Sequence, residues 1–283
     1  MIVPKEQQSA AAVAAHYDEL DPFYREIWGR HVHHGLWTTG RETPEEATDA
    51  LVDLVARQLV LKAGDRVCDI GCGYGAAAAR LASRHDGAVT GLTLSRVQAG
   101  HAERLAEADE RLTFACRDWL SNGLPDGGFD AAYAIESSEH MIDKARFFAE
   151  GFRVLRPGGR LCVCAWLARD GASPWEIRHL LEPICREGRL PGMGTEGDYR
   201  RLAWDAGFTI EAFTDISRQV SRTWTICARR VALKIVSDRA YARFLISRES
   251  RNRVFALTLA RLIAAYRTGA MRYGVFTLVK PAV

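Results

Sequence analysis

The chain has 283 residues, 48% hydrophobic and 26% charged, an ordinary globular balance that fits one large α/β domain or a domain with a substantial insertion. It holds no run of eighteen apolar residues, so no membrane-spanning helix is expected, and residues 1–15 lack the apolar stretch of a signal peptide. The net charge of +3 is unevenly spread: Arg222 to Arg272 hold twelve Lys or Arg against Asp238 and Glu249, which gives that segment +10 and the rest −7. Seven cysteines, several inside apolar runs, read as reduced packing thiols of a cytoplasmic protein. Neither Cys68/Cys72 nor Cys162/Cys164 has a zinc spacing, and no metal is expected.

Residues 10–28 are helix-prone and end in the aromatics Phe23, Tyr24 and Trp28. His31-Val32-His33-His34-Gly35-Leu36-Trp37 reads as a loop lying over something. Thr43-Pro44-Glu45-Glu46 has the form of a capping box, with Leu51, Leu54, Val55 and Leu59 following at helical spacing. Arg66 to Ile70 is a short buried strand. Gly71, Gly73 and Gly75 follow it, and an Ala-rich helix starts at Ala76. Strands are expected at 88–92, 112–116, 129–135 and 160–166, with helices opening at Ser95, in capping-box form with Gln98, and at Lys144. Beyond Trp166 the alternation breaks. Helices are expected from Ser173, over 196–206 and through the basic segment, with strands over 208–213 and 272–280. Five strand–helix alternations predict a doubly wound, mostly parallel sheet. The N-terminal helices and the insertion before the last strand would form a cap over the carboxyl ends of its strands.

A strand that turns sharply into a helix leaves backbone N–H groups free, and glycines let a ligand approach them. The ligand class this turn points to is a nucleoside-bearing cofactor. Gly71-x-Gly73-x-x-Ala76 matches the looser dinucleotide fingerprint. That reading also wants an acid at the end of the second strand for the ribose, and Leu92-Thr93-Leu94-Ser95 supplies none.

Asp69-x-Gly71-x-Gly73-x-Gly75 resembles motif I of the class I S-adenosylmethionine-dependent methyltransferases. Asp118, Phe129-Asp130 and Arg153 to Gly159 extend the match in order and spacing. His16-Tyr17-Asp18, Trp28-Gly29, His31 to Trp37, Gly91 to Ser95 with Gln98, Glu136 to Met141 and the ending Met271 to Pro281 are similar to the γ-tocopherol methyltransferase group. The cyclopropane-fatty-acid-synthase-like and isoprenoid C-methyltransferases are near relatives of that group. The resemblance implies a seven-stranded sheet, with residues 1–60 as a helical lid and 61–170 as the S-adenosylmethionine-binding core. Residues 171–283 would supply the cap insertion and the last two strands.

The same resemblance implies roles. Asp69, Gly71, Cys72 and Gly73 would hold the methionine end of the cofactor, and Thr93, Leu94 and Gln98 would touch ribose and adenine edges. Asp118 would accept from the adenine amino group, with Trp119 stacked nearby. Gln98 and Trp119 equally suit helix capping and core packing. Tyr17, His34 and Trp37 belong to a segment that closes over the cofactor, although histidines there can be packing residues. Glu136, Glu139 and His140, at the end of the fourth strand, are the candidate catalytic groups. A phenol or amine acceptor needs a base, and an alkene acceptor leaves a carbocation that needs a negative or π-rich wall. Glu139 and His140 also suit a merely structural turn.

The expected reaction is methyl transfer to a lipophilic small molecule, with carbon of a prenylated aromatic or isoprenoid, a diphosphate included, as leading acceptor. Alternatives are an O- or N-methyltransferase of a natural product, a nicotinamide-dependent oxidoreductase, and a catalytically silent binding protein. The basic segment admits an anionic substrate, peripheral contact with an anionic membrane, or a solvated or subunit-facing surface in a homo-oligomer. Nucleic acid is not expected.

Overall fold

Apolar residues on both faces of the central strands decide the architecture. In β1 (Arg66–Ile70) Val67 packs into one core cluster, and Cys68 and Ile70 pack into another. In β4 (Phe129–Ile135) Ala131 and Tyr133 divide from Ala132 and Ala134 in the same way. Successive side chains point to opposite faces, so strands of this kind need helices on both sides. The computed structural model, which describes residues 1–239, 243 and 254–282, supplies them. Helix α3 (Pro44–Leu59) and α4 (Ala76–His85) build the first cluster, and α6 (Lys144–Val154) and α9 (Glu196–Asp205) build the second.

The remaining strands are β2 (Ala88–Thr93), β3 (Leu112–Cys116), β5 (Leu155–Ala168), β6 (Thr209–Asp215) and β7 (Met271–Val279). Among the described residues they form a seven-stranded sheet of order β3-β2-β1-β4-β5-β7-β6. β1 to β5 run parallel to one another, and β7 runs antiparallel to both β5 and β6. The chain's winding reverses between β1 and β4, which opens a crevice beyond their carboxyl ends.

The helix-prone residues 10–28 form two helices, α1 (Ala10–Glu19) and α2 (Asp21–Ile27), because Pro22 lacks the N–H that a continuous helix needs. Two expectations are corrected. β5 begins at Leu155, not Arg160: Leu155 pairs with Phe129 before the register shifts across the Arg156–Gly159 turn. Ser95 caps α5 (Arg96–Ala106) by accepting from the Gln98 N–H, but the Gln98 side chain accepts from the Thr93 hydroxyl, so the box is only half formed. Thr43 and Glu46, in contrast, make the reciprocal box of α3. All seven cysteines are free thiols.

A third apolar cluster joins the N-terminal helices to the insertion. Leu20, Phe23, Tyr24 and Ile27 pack with residues of α8 (Glu182–Glu187), α11 (Arg222–Ser237) and α12 (Val254–Thr268). A short helix α7 (Pro174–Glu176) leads into α8 through a π-helical turn at Ile177–Leu181, and α10 (Ser217–Val220) precedes α11. Cations of the basic segment hold the N-terminal segment down. Arg230 donates to the Ile27 carbonyl at 2.5 Å, Lys234 pairs with Glu26, and Arg222 donates to the Gly40 carbonyl. Arg248, Arg251 and Arg253 lie outside the described residues. No helix among the described residues is long and apolar enough to cross a membrane.

The capping box predicts a local stability effect. Thr43→Ala should lower unfolding free energy by about 1 kcal/mol and Thr43→Ser by much less, read from urea unfolding.

Candidate active site

Each parallel strand ends in a loop at the same edge of the sheet, and these loops make a cleft. Gly71 and Gly73 come from the loop after β1, Thr93, Leu94 and Ser95 from that after β2, and Arg117 and Trp119 from that after β3. Ile135 to Ser137 with His140 and Met141 come from the end of β4, and Val13, Tyr17 and Val32 of the N-terminal segment close the open side. Gly71 has φ +84°, and a Cβ there would lie 2.3 Å from the Ser137 Cβ, so only glycine lets the two loops meet. Gly73 has φ +53° with nothing within 4 Å of an added Cβ, which leaves room for a ligand against its backbone. A cleft whose walls include glycine backbone and the buried Trp119 indole fits a nucleoside cofactor.

The expected cofactor residues divide. Thr93, Leu94, Gln98, Trp119, Gly71 and Gly73 line the cleft. Besides lining the cleft, Gln98 and Trp119 are held by the protein: the Gln98 side chain accepts from the Thr93 hydroxyl at 3.0 Å rather than completing the cap, and the packed Trp119 indole donates to the Phe147 carbonyl at 3.2 Å. Asp69 and Cys72 lie in a smaller pocket behind the glycine turn, together with His33 and Tyr133. Asp69 is 2% exposed and accepts from the Tyr133 hydroxyl at 2.6 Å. Burial raises its carboxyl to about 7 against the opposing pull of that bond.

Three expected residues are elsewhere. Asp118 caps the helical turn after β3, its Oδ1 accepting from the Leu120 N–H at 2.9 Å, and it does not line the cleft. Trp37 packs beside Gly35 and Ala47, donates to the Glu42 carbonyl at 3.2 Å and lies under the Arg222 guanidinium. Adjacent histidines face different places: His33 reaches the Asp69 pocket, whereas His34 lines neither that pocket nor the cleft. His33 is held from behind, its Nε2 bonding the His31 Nδ1 at 3.1 Å and His31 bonding Asp49 at 3.2 Å.

A second pocket adjoins the cleft. Tyr17, Val32, Glu136 and His140 line both. Its other walls are Tyr24, Trp28, Glu139, Trp166, Gly188, Leu190 and Trp224. Trp166 packs edge-on against Trp224 at 5.3 Å, Trp224 against Trp28 at 5.8 Å, and Tyr17 stacks on Tyr24 at 5.5 Å. The aromatic run ending at Trp28 hinted at one wall. Trp166 and Trp224 carried no sequence signal, because an apolar strand and a basic helix present their aromatics as ordinary core.

The three candidate catalytic groups are tuned apart. Glu136 has φ +54°, a conformation few side chains adopt, and its side chain is only 6% exposed. Oε1 accepts from the His34 N–H at 2.7 Å and the Tyr273 hydroxyl at 2.8 Å. Oε2 accepts from the Trp166 indole at 2.8 Å and pairs with the His34 Nδ1 at 2.9 Å, which assigns the proton to Nδ1. Burial alone would raise this carboxyl, but the His34 interactions hold it down at about 2. Ionised and fourfold bonded, Glu136 has no free capacity as a base, which corrects its expected catalytic role.

Glu139 is 1% exposed and accepts from the Trp166 backbone N–H and from the Ser138 hydroxyl. Burial raises its carboxyl to about 7. Lys144 donates to the carbonyls of Glu139 and Met141, and burial lowers its ammonium to about 8. His140 bonds Tyr17 Oη through Nε2 at 2.8 Å. Burial, then the charges of His16 and Lys144, lower it to about 3 although the Arg189 backbone pulls the other way, so the ring is neutral. No hydrogen bond of good geometry reaches its buried Nδ1 among the described residues.

These placements give two expectations for binding, since the Asp69 pocket shares Gly71 and Gly73 with the cleft and Asp118 lines neither. Asp69→Ala should weaken S-adenosylmethionine binding at least about tenfold by calorimetry, the scale of losing a charged hydrogen-bond partner. Asp118→Ala should change it by less than about threefold, because that carboxylate is spent on a cap.

The family model of the mycolic acid cyclopropane synthetases matches residues 4–273. The 27-O-demethylrifamycin SV methyltransferase of Amycolatopsis mediterranei is 35% identical over 218 residues, covering 76% of this chain and 79% of its own. The chloroplastic tocopherol O-methyltransferase of Arabidopsis thaliana is 30% identical over 292 residues, covering 95% and 82%. Among solved structures the [4+2]-cyclase SpnF superposes with a TM-score of 0.80 at 28% identity, covering all of both chains. The cleft, the glycine turn and these matches agree, and the chain belongs to the mycolic acid cyclopropane synthetase family of class I S-adenosylmethionine-dependent methyltransferases.

Proposed function

We propose that the enzyme methylates a hydroxyl oxygen of a neutral, lipophilic, ring-bearing small molecule bound in the aromatic cavity. The observation that carries this reading is the wall shared by cavity and cleft, where Tyr17, Val32, Glu136 and His140 stand between the two. When bound, S-adenosylmethionine supplies an activated methyl group and leaves as a neutral thioether. The chain's own residues have three tasks. The aromatic walls orient the acceptor and exclude water. Tyr17 fixes the His140 ring from the lid side. Glu139, tuned to about 7 by burial, takes the hydroxyl proton as the carbon–oxygen bond forms, either directly or through His140.

Two observations move the reading from the carbon acceptor expected from sequence. The cavity holds buried proton acceptors, which a hydroxyl needs at the moment of transfer. Relatives that cover most of this chain carry names of O-methyltransferases. No Arg or Lys is among the described residues lining the cavity, which supports a neutral acceptor over a diphosphate. Carbon methylation is the second reading, because the indoles of Trp28, Trp166 and Trp224 offer the π-rich wall a carbocation wants.

The test is turnover of S-adenosylmethionine with a panel of lipophilic phenols, quinols and prenyl diphosphates, products read by mass spectrometry. The expected product is a methyl ether of a neutral acceptor. A carbon-methylated product alone, turnover confined to diphosphates, or none contradicts the proposal. The base assignment predicts that kcat/KM rises with pH and levels off above about 7, since the carboxyl acts only when deprotonated. Glu139→Gln should lower kcat by about 10²-fold or more and abolish that rise, with cofactor affinity changed less than about fivefold.

A further inference from the structure

The environment of Glu136 is more elaborate than a packing role needs. Its carboxylate sits on the wall common to both cavities, buried, on a backbone conformation that costs energy. Donors from three separate parts of the chain converge on it: the His34 backbone and ring from the lid loop, the Trp166 indole from β5, and the Tyr273 hydroxyl from β7. The backbone N–H, indole and phenol donors keep the carboxylate ionised without neutralising it, and the His34 ring adds the attraction of an ion pair when it is protonated. None of the ion pairs among described residues joins it to Lys or Arg, and His34 is its one basic partner. A fixed negative charge in a water-poor wall acts strongly on a neighbouring cation.

Methyl transfer changes the charge of what lies against that wall, from a sulfonium to a neutral thioether. We infer that Glu136 is a charge selector, a positioning residue that favours the cationic cofactor over its neutral product and so promotes product exchange. This rests on the assignment of the cleft to S-adenosylmethionine. It replaces the proton-acceptor role with an electrostatic one that keeps the carboxylate ionised throughout the cycle.

His34 faces the carboxylate most closely, with its Nδ1 proton against Oε2, and His33, lowered by burial, acts on it from the same loop. The titratable groups on the other elements are these. Glu139 and Asp69 are raised to about 7, Lys144 is lowered to about 8 and His140 to about 3, and burial is the chief cause for each. The Tyr17, Tyr266 and Tyr273 phenols are pushed up, first by burial. Selection by Glu136, held at about 2, is therefore flat between about pH 6 and 9, whereas selection by Glu139, Asp69 or Lys144 would change across that range.

The experiment is calorimetric titration of S-adenosylmethionine, of sinefungin, whose ammonium stands where the sulfonium methyl does, and of S-adenosylhomocysteine. Wild-type protein is titrated at several pH values, beside Glu136→Gln and Trp166→Phe. Glu136→Gln should weaken the two cationic ligands about tenfold or more and leave S-adenosylhomocysteine within about threefold, the retained affinity reporting an intact fold. Trp166→Phe removes one donor but keeps the charge, and should keep the wild-type preference. In wild type the ratio of cationic to neutral affinity should not vary with pH. Equal loss of all three ligands in Glu136→Gln, no loss, collapse of the preference in Trp166→Phe, or a wild-type ratio that titrates near pH 7 overturns the inference. Wild-type protein that binds none of the three overturns the cofactor assignment itself, and the inference with it.

Discussion

The buried Glu136 carboxylate is the constraint around which the site is built. Leaving a charge in a dry wall without partners costs several kcal/mol, so every donor that reaches it is under pressure to stay in place. Those donors come from the lid loop through His34, from β5 through Trp166 and from β7 through Tyr273. One carboxylate thus ties the N-terminal segment to the centre of the sheet and to its last strand. His34 is in turn packed edge-on by Trp166, Trp224 and Tyr273, which fixes its ring and the walls of the aromatic cavity together.

From that node the electrostatics follow by environment rather than by residue type. Two glutamates three positions apart differ because Glu136 collects the His34 ring and backbone N–H, the Trp166 indole and the Tyr273 hydroxyl, while Glu139, the more deeply buried, accepts from the Trp166 backbone N–H and the Ser138 hydroxyl. One stays charged and the other is poised near neutrality. The lid closes the site through matching chemistry. Asp18 accepts from the Ser95 hydroxyl at 2.5 Å, and Tyr17 meets His140 at 2.8 Å. Arg230 and Lys234 of α11 hold α2 from outside. Part of the positive charge that made the basic segment resemble a binding surface is therefore spent inside the molecule.

The strands and their order of burial could be read from the chain because both faces of β1 and β4 are apolar, and because glycine, proline and capping residues mark the turns. Arg66 to Ile70, Leu112 to Cys116 and Phe129 to Ile135 needed nothing more. The cofactor cleft was readable as far as its residues sit on strand ends, as with Gly71, Gly73 and Thr93. It was misread where a side chain at the right position is turned to another use: Asp118 to a cap, Trp37 to packing, His34 to the Glu136 node. The aromatic cavity escaped because Trp166 and Trp224 are 58 positions apart in the numbering and meet only after the insertion folds back over the sheet. Periodicity carries no record of such a meeting.

In the proposed reaction, cofactor and acceptor meet at the wall of Tyr17, Val32, Glu136 and His140. A crystal structure of the protein with S-adenosylhomocysteine tests this most directly. The expected density has the adenine end against Leu94, Gln98 and Trp119, the methionine end at Gly71 and Gly73, and the sulfur facing the shared wall. Density for the nucleoside in the aromatic cavity, or a sulfur turned away from that wall, contradicts it.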